Sequence, residues 1–226
     1  MDFKDIPNSF ETSHNDIGYI NIKPESKNSV EEADSFWDSV FEEQKPKETF
    51  PEELLIMEAF DRDESEISIR YEISDNVSEI LKLFDDSIWD HMDSAEKEKM
   101  ITSIIEGVAD DLGITDVPKV VFYHGLPDDM GKYNQKDNTI HLNRAYFDDP
   151  IEMLNTAMHE LRHSYQHQRA AKAETFEDAV FKYNFDNYIS PIPLQEGKYL
   201  FYTDYYNQYV EVDARVFADK IVGAII

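Results

Sequence analysis

The stretch that most constrains the fold runs from Asp149 to about Ala171. It opens with Asp149-Pro150-Ile151-Glu152: a helix-capping carboxylate, a proline at the first helical position and a glutamate placed to close a capping box. No glycine or proline follows before Ala171, so the spacing predicts one long helix. In its middle stands His159-Glu160-Leu161-Arg162-His163. Residues four apart share a helix face, so His159 and His163 sit one above the other. Two neutral imidazoles so placed can fill two corners of a tetrahedral zinc site, with Glu160 in reach of a water as general base. The fold must then pack this helix and bring a third ligand to it from elsewhere in the chain.

His167 continues the histidine series but lies eight residues from His159, about 12 Å along a straight helix, too far to share one ion. The remaining candidates are acidic. Glu211 and Asp213 stand at the start of the last predicted helix, and Glu196 lies in the Leu194–Gly197 segment. A carboxylate from a helix packed on the motif helix would complete a His-His-acid set, with Glu196 in reserve. Tyr165 and Tyr209 are candidate donors to a developing oxyanion, though their residue type favours core or pocket lining over that role. His141, on a predicted strand, is a candidate contact to ligand or substrate. Arg162 adjoins the second histidine, where it would either form a salt bridge on the back of the helix or contact substrate.

Composition narrows the class. The 226 residues hold 48 acidic and 21 basic side chains, a formal net charge of -27, which opposes binding to nucleic acid or an anionic membrane. With no cysteine, disulfides and thiolate-held zinc are excluded. The first residues lack the basic and apolar regions of a signal peptide, and no segment approaches the roughly 18 apolar residues of a membrane span. The expectation is a cytoplasmic protein with a protein or peptide partner.

Residues 1–50 read as an acidic, partly ordered N-terminal arm with a short amphipathic helix at 30–43. Residues 51–226 read as one α+β domain. Within it, 51–60 reads as a helix, 66–74 as an alternating strand, and 75–89 and 93–112 as helices, the second stopped by Gly113. Strands follow at 117–124 and 139–143 with a polar loop between them, then the motif helix. An irregular, strongly aromatic segment at 173–209 precedes a final buried helix at 210–226.

The motif helix, the preceding Gly131-Lys132-Tyr133 and Ile140-His141-Leu142-Asn143, and the following Glu211-Val-Asp213-Ala-Arg-Val-Phe-Ala resemble the gluzincin-type zinc metallopeptidases. Closest are the ImmA/IrrE-like group and bacterial or phage proteins with His-Glu-Leu-Arg-His-x-x-Gln and a downstream Glu-x-Asp-Ala-x-x-Phe-Ala. The likeness covers about residues 117–222. It implies a minimal zincin-like domain, a small mixed sheet packed on the motif helix and a C-terminal ligand helix. It further implies one Zn2+ per chain held by His159, His163 and Glu211, with Asp213 supporting the ligand helix. The strand at 139–143 would be the edge along which a peptide substrate lies, and 173–209 would be an insertion. Arg162 stands where the group usually has glycine. The implied activity is hydrolysis of a peptide bond in a specific protein, with Glu160 as general base. The other reading is a non-catalytic interaction module that keeps the metal as a structural staple.

Overall fold

The computed structural model describes residues 69, 71–126, 129–193 and 199–225, all within the unit Phe50–Ile226. The arm at 1–50 and the expected helix at 51–60 lie outside them. The described chain is α+β, with helices packed around a three-stranded sheet. Helix α1 (Asp75–Leu81) leads through a 3-10 turn to the short α2 (Asp86–Trp89), and α3 spans Ser94–Asp111. Strands β1 (Lys119–Tyr123), β2 (Gly131–Asn134) and β3 (Thr139–Asn143) precede the motif helix α4 (Pro150–Lys172). Helix α5 (Phe176–Asp186), a two-residue hairpin β4/β5 (Ile192–Pro193, Tyr199–Leu200), a single turn α6 (Tyr202–Tyr206) and α7 (Tyr209–Val222) complete it.

Local chemistry sets these boundaries. Asp149 accepts from the Glu152 amide, with Pro150 at the first position of α4. Asp93 and Glu96 close a capping box at α3, and Gly113 just beyond its end takes φ +67°, which glycine adopts freely. The helix expected over 75–89 is broken, because Asp85 takes extended backbone and its side chain caps Ser87. Residues 69 and 71–74 form no strand; 66–68 and 70 lie outside the described residues. The 173–209 segment is not irregular throughout. Thr175 and Asp178 form a capping box that starts α5, and Arg169 pairs with Asp178 to tie the end of α4 to that start.

The sheet order is β1-β3-β2, with β1 parallel and β2 antiparallel to β3. Strand β3 is therefore central and paired on both sides. That corrects the expectation that 139–143 is a free edge for a peptide; among the described residues β2 is the edge strand facing the motif helix. Ile140 and Leu142 point from β3 into the core and His141 points the other way, its ring 6.4 Å from that of Tyr123. Helix α4 lies across β2 and β3 and packs along α7, α5 and α3. Met153, Leu154, Ala157, Met158 and Leu161, at helical spacing, are fully buried against Phe217, Ala218 and Ile221 of α7 and the isoleucines of α3. Each large side chain so buried contributes about 1.5–3 kcal/mol. This apolar seam holds α4 and α7 together, and their polar faces meet at its end.

Candidate metal centre

His159 and His163 project from α4 toward Glu211 in the first turn of α7. The two Nε2 atoms are 3.0 Å apart, and the Glu211 carboxylate spans the pair, Oε2 lying 3.5 Å from His159 Nε2 and Oε1 3.6 Å from His163 Nε2. Donors bound to one tetrahedral ion at about 2.0–2.1 Å stand about 3.3 Å from one another. The three separations straddle that value, so the set fits a divalent ion such as zinc; its atoms all lie within 4.8 Å of one another, in a mostly buried pocket.

The supporting contacts fix how the donors face. The Gln166 Nε2 donates to the Val210 carbonyl (2.9 Å) and to Asp213 Oδ2 (2.7 Å), both of which only accept. Its Oε1 therefore faces His163 Nδ1 at 2.8 Å, and that nitrogen must carry the proton. In the neutral ring His163 then presents the bare Nε2 lone pair to its neighbours, the tautomer a metal needs. Tyr188 donates to Glu211 Oε1 at 2.6 Å. Tyr188 is delivered there by Gln208, whose side-chain amide accepts from the Ile189 N–H (2.7 Å) and donates to the Ile189 carbonyl (2.9 Å).

The charges are strongly coupled. Burial pulls the His163 pKa down, but hydrogen bonding to Glu211 and the negative charges of Glu211 and Glu160 outweigh it and push it up to about 9. Glu211 is raised by burial and lowered far more by His159, His163 and Tyr188, ending well below the ordinary carboxylate range. Burial and the Glu211 charge hold Tyr188 and Tyr205 well above the usual phenol range, so both remain donors. Glu160 is buried beside them, close enough for its charge to act on His163, Tyr123 and Tyr205.

Arg162 and Asp213 form a two-point ion pair, Nε to Oδ2 at 2.7 Å and Nη2 to Oδ1 at 3.0 Å, both side chains almost fully buried. Arg162 thus braces α4 against α7 and does not face solvent, and Asp213 is occupied by Arg162 and Gln166. Tyr165 lies under the Arg162 guanidinium and accepts from Arg169; the ring of Tyr209 packs 6.0 Å from Phe181. His141 sits on the sheet. None of these three joins the donor cluster. Glu196 falls outside the described residues. His167 stacks on Phe185 with ring centres 3.6 Å apart, and burial, then the nearby His163, lower its pKa to about 4, so it is neutral at pH 7. Sequence reasoning assigned no ligand-supporting role to Tyr188, Gln208 or Gln166, although Tyr188 belongs to the aromatic 173–209 segment and Gln166 is the glutamine of the His-Glu-Leu-Arg-His-x-x-Gln pattern. For Gln166 the signal was present, three residues past His163 on the same face. Among the described residues no helix is long and apolar enough to cross a membrane. Compared with protein-family models, curated proteins and solved structures, the chain matches none.

Proposed function

We propose that this chain is a zinc-dependent metallopeptidase of zincin-like architecture, cleaving a peptide bond in a specific protein substrate. The observation that carries the reading is the convergence of His159, His163 and Glu211 at ligand-like separations, with Glu160 beside them on the same helix. When bound, the ion supplies Lewis acidity, polarising a carbonyl and acidifying water toward neutrality. Glu160 takes the proton of the attacking water on its carboxylate and hands it to the leaving amine. Gln166 holds the His163 ring with Nε2 forward, and Tyr188 fixes the Glu211 carboxylate. Arg162 and Asp213 keep the two ligand-bearing helices in register.

The test is zinc-loaded protein incubated with a peptide library, with new termini read by mass spectrometry. Wild type should bind one zinc and cleave, while Glu160→Gln should bind zinc equally and not cleave. Cleavage that survives Glu160→Gln would refute the mechanism. Zinc bound by both proteins with cleavage by neither, and unfolding on chelation, would instead favour a structural staple.

A further inference from the structure

A cavity of about 580 Å³ opens beside His163, and its lining differs from the rest of the molecule in charge. Its walls are the aromatic side of the site: Tyr133 from β2, His167 stacked on Phe185, and Tyr188. Lys132 and Lys136, from β2 and the turn after it, stand exposed at its edge. Among the described residues no aspartate or glutamate lines it, although the chain holds 48 acidic residues against 21 basic ones. Asp116 and Asp137 act on Tyr133, while Glu211 accepts from Tyr188 at 2.6 Å and lies 3.6 Å from His163; these carboxylates stand behind the cavity wall and do not line the space. In the zinc-loaded protein a divalent ion would offset the charges of Glu211 and Glu160, leaving Lys132 and Lys136 as the charged side chains at the cavity's edge despite the overall charge of -27. The volume lies in the range of small-ligand sites, and aromatic walls with a few placed polar groups are how such sites are built.

From this juxtaposition we infer that the cavity is the substrate subsite of the centre and that it takes a peptide carboxylate. Lys132 and Lys136 receive the anion, while Tyr133, Phe185 and the His167 ring stacked on it cover the apolar stem that carries it. This rests on the peptidase reading for its catalytic meaning, not for the binding it describes. Two sources carry the same chemistry, an Asp or Glu side chain near the cleaved bond and a free peptide C-terminus.

The experiment uses zinc-loaded Glu160→Gln protein, so that binding is read without cleavage. Fluorescent peptides carrying Glu at each position in turn are compared with their Gln counterparts, and free with amidated C-termini. Peptides with the favoured carboxylate should bind about tenfold or more tightly than their neutral counterparts. The Lys132→Glu, Lys136→Glu double variant should abolish that preference while its zinc content stays unchanged. A preference that follows the free terminus assigns an exopeptidase-like site; one that follows Glu assigns side-chain recognition. Equal binding of acidic and neutral peptides, or a preference unaffected by the double charge reversal, overturns the inference. If the preference holds but wild type cleaves nothing, the peptidase reading fails and the carboxylate subsite stands.

Discussion

The Arg162–Asp213 pair gives the sharpest stability prediction. Asp213→Ala removes both acceptors of a guanidinium that is 4% exposed and one of the two acceptors of the Gln166 amide. A buried ion stripped of its partner costs about 3–5 kcal/mol, because the surviving charge is left desolvated. Total stability of a domain is about 5–15 kcal/mol, so this is a large share of it. At about 2–4 °C per kcal/mol for a chain of this size, melting should fall by roughly 6–20 °C. Arg162→Met with Asp213→Leu should recover most of the loss. The guanidinium lies 4.4 Å from the Tyr165 ring centre and 5.1 Å from that of Phe217, so an apolar stem keeps the packing while both charges leave together. Gln166 keeps Val210 as acceptor in either variant. The assay is urea unfolding in chelator, where metal binding adds nothing to stability. A loss under about 1 kcal/mol for Asp213→Ala, or a double variant no more stable than the single one, refutes the reasoning.

Tyr188→Phe removes the donor to Glu211 and should weaken zinc affinity about 10- to 100-fold in chelator-competition titrations; unchanged affinity would show that Tyr188 does not set the ligand. The metal-free protein should lose stability as pH rises. The folded pKa of His163 lies above its ordinary value, so its contribution is complete below about 6.5 and disappears as pH passes about 9. Zinc affinity should rise over the same interval with release of one proton per ion, measurable by calorimetry in buffers of different ionisation heat; a flat profile would contradict the coupling. Gly131→Ala would place a methyl 2.7 Å from Thr156 Cγ2 and 2.9 Å from the His141 carbonyl on the central strand, which cannot move aside. It should destabilise by about 1–3 kcal/mol in the same unfolding assay, and a neutral result would mean β2 sits less tightly on β3 than described.

The parts of the site that depend on local periodicity were legible in the sequence. The capped helix over His159–His163, α3 with its box at Asp93 and Glu96, and a final helix bearing Glu211 all follow from spacing and capping residues. The misreadings have two causes, contacts between residues distant in sequence and local capping overlooked amid other signals, as where Asp85 caps Ser87. Strand β2 is four residues long, with glycine, lysine and asparagine in it, and takes its extended form from pairing with β3. The aromatic content of 173–209 masked the turn chemistry of Thr175 and Asp178, which starts α5. Tyr188 reaches Glu211 only because Gln208, nineteen residues on from Ile189, grips that residue's backbone on both sides. No pattern within one element encodes such a link.

The choice between Glu211 and Asp213 as third ligand, open from spacing alone, turns on where the buried positive charge lies. Residues two apart on a helix point to different sides, so each acid meets a different part of α4. Arg162 is a permanent cation on the buried side of α4, and it requires a buried anion; Asp213 answers it. Glu211 is left to the imidazoles. In formal charges, Arg162 then stands against Asp213, Glu211 and Glu160, leaving the metal-free cluster two positive charges short. The raised pKa of His163 is the protein's partial answer, a proton retained to offset part of the deficit. A divalent ion supplies the whole of it while leaving His163 neutral, the form in which Gln166 already holds the ring. Arg162 thus belongs to the centre through the acid it engages: it takes Asp213 out of contention and leaves a site whose remaining charge matches a doubly positive metal.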